Sequence, residues 1–386
     1  MRVLLAFDKF KDALGAAEAC AAAARALAGA RPNWTLDSCP LADGGEGFGS
    51  ILTGAAGGEI VRSEVTGPRG RPVEGVFGLV PLARIPARAR TLLSLPDLPA
   101  DARVAVIEMA SASGLALLAA AERDLWQTTT KGTGELMRLA AACGAAAIVL
   151  GIGGSATNDL GLGALEALGL EFFDSLGNPV SPPVPARWRE IARIAGHLEP
   201  GLPPIRIACD VTNPLLGPRG AAATYGPQKG LRSADLARLD HEGARLALML
   251  CARFGRTDAL MDTPGTGAAG GISFGLMAAG GAELLPGFDL VSAWLDLEAR
   301  LARADLVLTG EGRFDDSSLQ GKGPGAVAAR ALALGKQVHV FAGRATAAHP
   351  PPGLTLHSIT PDGTPLAEAL PRAAEFLHGE VQAVFS

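Results

Sequence analysis

Apolar and polar residues alternate along the chain in segments that match the lengths of β-strands and α-helices. Near the start, residues 3–7 form a short apolar run, residues 13–28 place apolar side chains at helical spacing, and residues 35–40 alternate again. This strand, helix, strand order is typical of a βαβ unit. It predicts parallel strands with helices on the faces of the sheet.

Residues 305–386 repeat the alternation of short apolar runs and amphipathic segments. The pattern predicts more parallel strands separated by helices. The predicted strands are 305–309, 338–342 and 354–359, and the predicted helices are 325–334 and 367–377. The two ends of the chain are therefore expected to build similar α/β structure.

The middle of the chain has a different pattern. Residues 60–65 and 73–80 flank a Gly-Pro-Arg-Gly turn at 67–70, which predicts an antiparallel hairpin rather than a crossover. Proline-rich connections at 81–102 and 179–204 indicate a second domain carried as an insertion.

We therefore predict an α/β protein of two domains. A discontinuous Rossmann-like domain with a parallel sheet is expected from residues 1–60 plus 290–386, and an inserted α/β domain with a mixed sheet from residues 61–289.

Composition narrows the class of protein. The 386 residues are 48% hydrophobic and 19% charged, which excludes a disordered chain. A net charge of −5 and 5% aromatic residues argue against a nucleic-acid partner. Five cysteines without a CxxC pair indicate a reducing, cytoplasmic compartment, and the two uncharged windows long enough for a membrane are broken by glycines, so no membrane partner is expected.

Four glycine-rich segments carry acids or lysines. The first, Asp43-Gly44-Gly45-Glu46, follows the predicted strand 35–40, at the end of a strand where α/β proteins bind ligands and backbone amides can hold an anion. The spacing of Asp43 and Glu46 fits equally well an N-cap and its capping-box partner at the start of a helix.

The second segment, residues 151–159, follows a predicted strand at 146–150. It matches the G-x-G-x-x-A pattern typical of dinucleotide-binding turns. The hydroxyls of Ser155 and Thr157 and the amide of Asn158 suit phosphates and a hydrated Mg²⁺ better than a plain pyrophosphate turn.

The third segment contains Asp210 and Lys229. Asp210 follows the predicted strand 205–208, and an acid at a strand end is a natural position for a metal ligand or a general base. A turn-forming aspartate is the alternative interpretation. Lys229 precedes Gly230 in a short Gly-Pro-Gln-Lys-Gly stretch.

In the fourth segment, the predicted strand 305–309 runs into a turn with Glu311 and Arg313, and Lys322 precedes the next helix. Carboxylates for Mg²⁺ and cations for a developing phosphate charge are what phosphoryl transfer needs. A solvated, salt-bridged turn is the alternative. Neither a Walker A motif nor the protein-kinase motifs are present in the sequence.

Taken together and in order, these segments resemble the bacterial glycerate kinase family of type I. The resemblance covers essentially the whole chain. The strings that carry it are residues 6–11, 42–47, 65–68, 128–135, 151–159, 209–217, 226–230, 267–271, 309–313 and 321–322.

Three places depart from the usual family pattern. The family opens with Asp-Ser-Phe-Lys-Gly, where this chain has Lys9 and Asp12 in place of the serine and the glycine. Residues 314–318 stand where the family has Leu-Asp-Gly-Gln-Thr, and Arg344 takes the place of the serine in a later Ala-Gly-Ser turn.

The resemblance implies phosphorylation of D-glycerate with ATP and Mg²⁺ in the catabolism of glycerate and glyoxylate, and a fold of two α/β domains around a cleft. Similarity favours 2-phosphoglycerate over 3-phosphoglycerate as product. A nicotinamide-dependent oxidoreductase that uses residues 151–156, or a non-catalytic small-molecule sensor, is the alternative.

Specific roles follow as hypotheses. We expect Asp210, with Asp43 next, to accept the proton of the substrate hydroxyl, and Arg313 or Lys11 to orient the substrate carboxylate. The expected Mg²⁺ ligands are Asp43, Glu46 and Glu311, and the expected phosphate-binding residues are Gly153, Gly154, Ser155, Asn158, Lys229 and Lys322.

Overall fold

The computed structural model describes residues 1–95, 97–320 and 323–386. The strands are β1 (Arg2–Phe7), β2 (Thr35–Ser38), β3 (Glu59–Thr66), β4 (Pro72–Pro81), β5 (Arg103–Glu108), β6 (Ala145–Gly151), β7 (Leu170–Phe173), β8 (Arg193–Gly196), β9 (Ile205–Ala208), β10 (Glu283–Leu285), β11 (Leu306–Gly310), β12 (Arg313–Phe314), β13 (Gln337–Ala342), β14 (Arg344–Ala345) and β15 (Leu354–Ser358).

The α-helices are α1 (Ala16–Ala30), α2 (Phe48–Ala55), α3 (Ala87–Leu93), α4 (Ala110–Ser113), α5 (Lys131–Ala142), α6 (Leu162–Ala167), α7 (Ala221–Tyr225), α8 (Leu236–Phe254), α9 (Ile272–Gly280), α10 (Gly287–Trp294), α11 (Leu297–Arg303), α12 (Pro324–Ala333), α13 (Leu366–Ala369) and α14 (Ala373–Phe385). In the described ranges no helix combines the length and the apolar character needed to cross a bilayer.

The chain divides into two compact units. Unit 1 comprises Met1–Asp43 and Val291–Ser386, and unit 2 comprises Gly44–Leu290. The first boundary lies at Gly44 instead of the predicted residue 61, because α2 packs on the unit 2 strands β4 and β5. Thr53 of α2 sits so close to Gly78 of β4 that a Cβ there would lie 1.7 Å from its hydroxyl oxygen.

Unit 1 contains the predicted parallel sheet. Its strand order is β15-β13-β11-β1-β2, and every neighbouring pair is parallel. β1 reads Arg-Val-Leu-Leu-Ala-Phe and is buried from its second residue on, as expected for a parallel strand covered on both faces. The small residues of α1 allow it to pack closely on α14 across one face.

The C-terminal helix differs from the prediction. A single helix is expected over residues 367–377, whereas α13 ends at Ala369, a 3₁₀ turn covers Leu370–Arg372, and α14 then continues to Phe385. Pro371 lies in that turn. Because proline lacks an amide hydrogen and its ring clashes with the preceding turn, it interrupts the helix at this point.

Unit 2 contains the predicted mixed sheet, with strand order β10-β9-β6-β5-β4-β3. β3 and β4 form the predicted antiparallel hairpin, β4 pairs antiparallel with β5, and the remaining neighbours are parallel. Its core gathers side chains of the sheet and of α5, α6, α8 and α9. The α/β class and the two kinds of sheet are thus confirmed.

Candidate active site

The candidate site of unit 1 lies where the strand order of its sheet reverses. The chain passes from β1 to β2 on one side and later returns to β11 on the other, and open α/β sheets bind ligands beyond the strand ends at such a switch point. Asp8 follows β1 directly, and Glu311 follows β11. The amide of Asp8 donates to the carbonyl oxygen of Gly310 at 2.9 Å, so the strand pairing continues up to these two acids.

Burial and mutual repulsion raise the pKa values of these two acids toward neutral pH. Burial, reinforced by the charge of Asp43, raises the pKa of Asp8 to about 6. Burial also raises the pKa of Glu311 to about 7, and the carboxylates of Asp8, Asp315 and Asp43 add to that shift. Such an excess of negative charge favours the binding of a cation.

Lys9 supplies a positive charge beside this pair of acids. Its Nζ lies 3.4 Å from Oδ1 of Asp43, and its backbone amide donates to Oδ1 of Asp8 at 2.7 Å. The lysine charge lowers the pKa of Asp8 but does not outweigh burial. In the described parts of the chain, no three histidine, cysteine or carboxylate side chains converge closely enough to hold a metal ion by themselves.

The predicted carboxylate-binding residues Arg313 and Lys11 belong to the same edge of unit 1. Arg313 begins β12, which pairs with β14 so that Arg313 stands opposite Arg344. The Arg313 side chain is 74% exposed and its Nε lies 3.1 Å from Oδ2 of Asp315. A Cβ at Gly312 would lie 3.2 Å from the Lys11 nitrogen, so the backbone of Lys11 runs beside this turn. The predicted Lys322 lies outside the described residues.

In unit 2, two glycine-rich loops are pressed against each other at the ends of parallel strands. The amide of Gly153 donates to the carbonyl oxygen of Gly44 at 2.9 Å. A Cβ at Gly153 would lie 2.4 Å from the Cα of Gly45, and one at Gly151 would lie 2.7 Å from the Gly44 oxygen. Only glycine permits this approach, and it leaves backbone rather than side chains at the surface of the loops.

The capping interpretation of Glu46 is wrong. α2 begins at Phe48 with Gly47 as its N-cap and has no side-chain cap from its own turn. The carboxylate of Glu108 takes that place, since its Oε2 accepts hydrogen bonds from the amides of Gly47 at 3.1 Å and Gly49 at 3.2 Å. Glu46 is exposed.

Lys229 is buried beneath the loop that follows β6. Only 2% of the residue is exposed, and Nζ donates to Oγ of Ser155 at 2.8 Å and to the carbonyl oxygen of Thr157 at 2.7 Å. Burial lowers the pKa of Lys229 to about 7, against the opposing effect of Asp159. Lys229 therefore holds the loop in place through hydrogen bonds made from inside the protein.

Asp159 closes the same loop. Its carboxylate accepts from the amide and hydroxyl of Thr130 at 2.7 and 2.8 Å and from the amides of Gly161 and Gly163. Burial nonetheless raises its pKa. Two buried acceptors of the loop, Oγ1 of Thr157 and Oδ1 of Asn158, have no partner among the described residues, so the loop retains polar capacity for a ligand or water.

The loop does not fit a dinucleotide-binding turn. Such a turn opens directly into a helix whose N-terminus faces the pyrophosphate, whereas α6 starts only at Leu162.

The carboxylate of Asp210, just beyond the end of β9, is hydrogen-bonded to the first turn of α10. Its Oδ2 accepts from the amide of Phe288 at 2.9 Å.

The structure thus brings the predicted residues together in two groups. Unit 1 groups Asp43 with Glu311, and unit 2 joins Ser155 to Lys229. Asp8 and Glu108 were not among the residues predicted to act, although Asp8 occupies the same position after β1 that Glu311 occupies after β11.

The chain is similar to known proteins over nearly its whole length. The family described as "Glycerate kinase family" matches residues 3–386. The chain is 39% identical to the glycerate kinase of Bacillus subtilis strain 168 over 383 residues, which cover 98% of this chain and 95% of the relative. It is 39% identical to the glycerate 2-kinase of Escherichia coli strain K12 over 90% of this chain and 86% of that one.

A solved structure is similar over the whole chain. It is a protein of Salmonella typhimurium LT2, provisionally named glycerate kinase 2, with 37% identity and a TM-score of 0.75 over 100% of this chain and 97% of the other. These matches define the protein as a kinase, a phosphotransferase on an α/β fold. The chain belongs to the glycerate kinase family.

Proposed function

We propose that this protein transfers a phosphoryl group from ATP to D-glycerate with Mg²⁺, and that the product is 2-phosphoglycerate. The observation that carries the proposal is the pair of acids at the switch point of the unit 1 sheet, the buried Asp8 and the half-buried Glu311. The preference for the 2-phosphate rests on the E. coli relative that is named a glycerate 2-kinase.

The acids of unit 1 fit a divalent cation. Burial and repulsion favour the protonated form of these carboxylates, whereas a bound metal ion stabilises their anionic form. Asp43 and Glu311, with Asp8, would hold Mg²⁺ there. For Glu46 the proposal as a Mg²⁺ ligand rests on the sequence alone. Because Mg²⁺ usually keeps several waters and phosphate oxygens, it does not require three converging protein ligands. When bound, it neutralises charge on the transferred phosphate.

The loop after β6 fits nucleotide phosphates. The amides of Gly153 and Gly154 and the hydroxyl of Ser155 would donate to phosphate oxygens, and Asn158 would contribute its side chain. Lys229 would fix Ser155 from below, because its Nζ already donates to that hydroxyl. Lys322 is proposed to add a further positive charge.

Arg313 and Lys11 are proposed to orient the substrate carboxylate. In its pair with Asp315, the Arg313 side chain is exposed and Asp315 is partly exposed. Ion pairs open to solvent contribute little energy, so a substrate carboxylate can replace Asp315 at low cost.

The proposed general base is Asp210, with Asp43 as the second choice. The Phe288 amide holds one oxygen of Asp210, which fixes the orientation of the carboxylate. In that role it accepts the proton of the substrate hydroxyl as the phosphoryl group arrives. Asp210→Asn should then lower kcat by about 10²-fold or more, and turnover near that of the wild type would remove Asp210 from the role.

One coupled assay tests the function. The protein is incubated with D-glycerate, MgATP and enolase, without phosphoglycerate mutase, and phosphoenolpyruvate is measured by its ultraviolet absorbance. We expect phosphoenolpyruvate to form, because enolase acts on 2-phosphoglycerate. ADP release without phosphoenolpyruvate would move the phosphate to the 3-position, and no ADP release would contradict the glycerate kinase assignment.

A further inference from the structure

One edge of the unit 2 sheet is an exposed strand. β3 is the last strand in the sheet order. The hydrogen bond from the amide of Gly67 to the carbonyl oxygen of Arg71, at 2.7 Å, sets the phase of the β3–β4 ladder. The odd-numbered residues of β3 therefore bond to β4, and the backbone groups of Ile60, Arg62 and Glu64 point away from the sheet.

These outward backbone groups form an open template for another strand. Across the described residues, their only hydrogen bond outside the ladder is a long one, 3.4 Å, from the Ser63 hydroxyl to the Glu64 carbonyl oxygen. The next outward amide, that of Thr66, is already taken by Oε2 of Glu135. An edge of this kind can pair with a further strand through main-chain hydrogen bonds.

The charges on the outer face of β3 are incompletely balanced within one chain. Arg62 pairs with Glu74 of β4 at 2.7 Å, with both side chains more than 60% exposed. Glu64 stands directly opposite Glu74 in the ladder, and the described part of the chain gives it no ion pair. Like charges that face each other across a ladder are destabilising, so Glu64 lacks a cation.

Charge selects one register if β3 pairs antiparallel with a second copy of itself. Only registers that bring even-numbered residues opposite each other can form hydrogen bonds. Centring the pair on Arg62 opposes two arginines, and centring it on Glu64 opposes two glutamates. Centring it on Ser63 places Arg62 opposite Glu64 at two equivalent positions, which is favourable.

The register centred on Ser63 also matches apolar residues. It brings Val61 opposite Val65 on the inner face, where a groove of about 340 Å³ opens beside the strand. The groove is lined by residues of β3 and by Glu135, Arg138 and Leu139 of α5. It offers space for side chains of a second strand.

We propose that two copies of this chain associate through β3, antiparallel, with Ser63 on the two-fold axis. The two six-stranded sheets then become continuous, and each Glu64 receives the arginine that it lacks. Because a single strand pair buries less surface than a standard interface, we expect a dimer that dissociates on dilution, in the range of about 1–100 μM.

A cysteine at the axis tests the register. In a non-hydrogen-bonded antiparallel pair the Cα atoms are about 4.5 Å apart, close enough for a disulfide. Ser63→Cys should give a covalent dimer on mild oxidation, measured on a non-reducing gel. The matched control is Ile60→Cys on the same strand, because the two copies of residue 60 would be about 20 Å apart. The wild type, with its own five cysteines, gives the background.

Charge reversal tests the pairing independently. Arg62→Glu and Glu64→Arg should each weaken the dimer by about tenfold or more, measured as the dissociation constant in sedimentation equilibrium. The double variant R62E/E64R restores opposite charges at both positions and should recover the dimer. Circular dichroism and turnover should match those of the wild type, because β3 carries none of the proposed catalytic residues.

The outcomes separate clearly. Selective cross-linking of Ser63→Cys together with recovery in the double variant supports the proposal. A monomer at about 100 μM, or a dimer that ignores the charge reversals and cross-links no better at residue 63 than at residue 60, overturns it. Neither result depends on which substrate the enzyme phosphorylates.

Discussion

The two sheets end in polar groups of opposite character. In unit 1, the strand ends carry acids whose pKa values are raised by burial and mutual repulsion. In unit 2, the strand ends carry glycine backbone held by side-chain hydrogen bonds from the buried Lys229 and the half-buried Glu108. Unit 1 presents acidic charge that Lys9 only partly offsets, and unit 2 presents prearranged hydrogen-bond donors.

This difference separates two ways of preparing a site for phosphate chemistry. The charge in unit 1 lowers the stability of the unliganded protein and is relieved by a bound cation. The loops of unit 2 are stabilised by contacts that exist before any ligand binds, so they keep donors oriented without a large electrostatic cost. Substitutions in unit 1 should therefore separate activity from stability, whereas those in unit 2 should lower both.

The largest effect is expected from Asp8→Asn. Losing this carboxylate should lower kcat by about 10²-fold or more. The raised pKa of Asp8 means that the folded state holds the proton more tightly than the unfolded state, so wild-type stability falls as pH rises from about 4 to about 6. Removing the charge should stabilise the fold by about 3 kcal/mol at pH 8.

Urea unfolding at pH 5 and pH 8, with turnover measured in parallel, checks this prediction. Asp12→Asn is the matched control, since Asp12 is exposed in the same loop, and its positive φ of 60° is a conformation that asparagine tolerates. An Asp8→Asn protein that loses stability at pH 8, or keeps full turnover, would contradict the role given to unit 1.

The second largest effect is expected from Lys229→Met. The pKa of Lys229 is lowered to about 7, so the unfolded state binds more protons between about pH 7 and 10 and wild-type stability gains from this group as pH rises. The methionine variant lacks that gain and also loses the hydrogen bonds to Ser155 and Thr157. The free energy of unfolding of the variant should therefore lie further below that of the wild type at pH 9 than at pH 6.

Thermal or urea unfolding of both proteins at these two pH values measures the difference. The KM for ATP should also rise, because Ser155 loses its anchor, whereas the KM for glycerate should change less. Equal stability differences at both pH values would show that Lys229 is not held in the buried position from which its lowered pKa arises.

The sequence predicts the acids at the strand ends better than the side-chain contacts that hold the loops of the candidate site. Glu311 and Asp210 are predicted site residues because acids at or just beyond the ends of apolar strands mark the ligand edge of a parallel sheet. Asp8 obeys the same rule and could have been found in the same way. The Pro371 break between α13 and α14 was likewise visible in the sequence.

The pattern of apolar and polar residues does not predict the side-chain contacts of Glu108 and Lys229 that hold the unit 2 loops. Glu108 caps α2 through the amides of Gly47 and Gly49, and no periodicity links residues so distant in the chain. A lysine is ordinarily exposed, so nothing in the local pattern of Lys229 predicted its burial. These contacts depend on tertiary packing, which hydrophobic spacing does not encode.

A smaller effect is expected from Gly153→Ala. The new Cβ would lie 2.4 Å from the Cα of Gly45, and backbone on both sides leaves little room to relax. We expect a loss of about 1–3 kcal/mol in the free energy of unfolding and a higher KM for ATP. Gly29→Ala in α1, where no atom lies within 4 Å of the added Cβ, is the control and should stabilise the protein by about 0.5–1 kcal/mol. A neutral Gly153→Ala would mean that the two loops separate easily.

The smallest effect is expected from Glu108→Gln. The amide oxygen of glutamine can still accept from the amides of Gly47 and Gly49, so only the attraction between the carboxylate charge and the N-terminus of α2 is lost. A loss of about 0.5–1 kcal/mol in the free energy of unfolding is expected, and added salt should reduce the difference. Glu108→Ala, which removes the acceptor as well, should cost about 1–2 kcal/mol more. If glutamine and alanine were equally destabilising, charge rather than hydrogen bonding would hold the Gly44–Gly47 loop, and unit 2 would depend on electrostatics as unit 1 does.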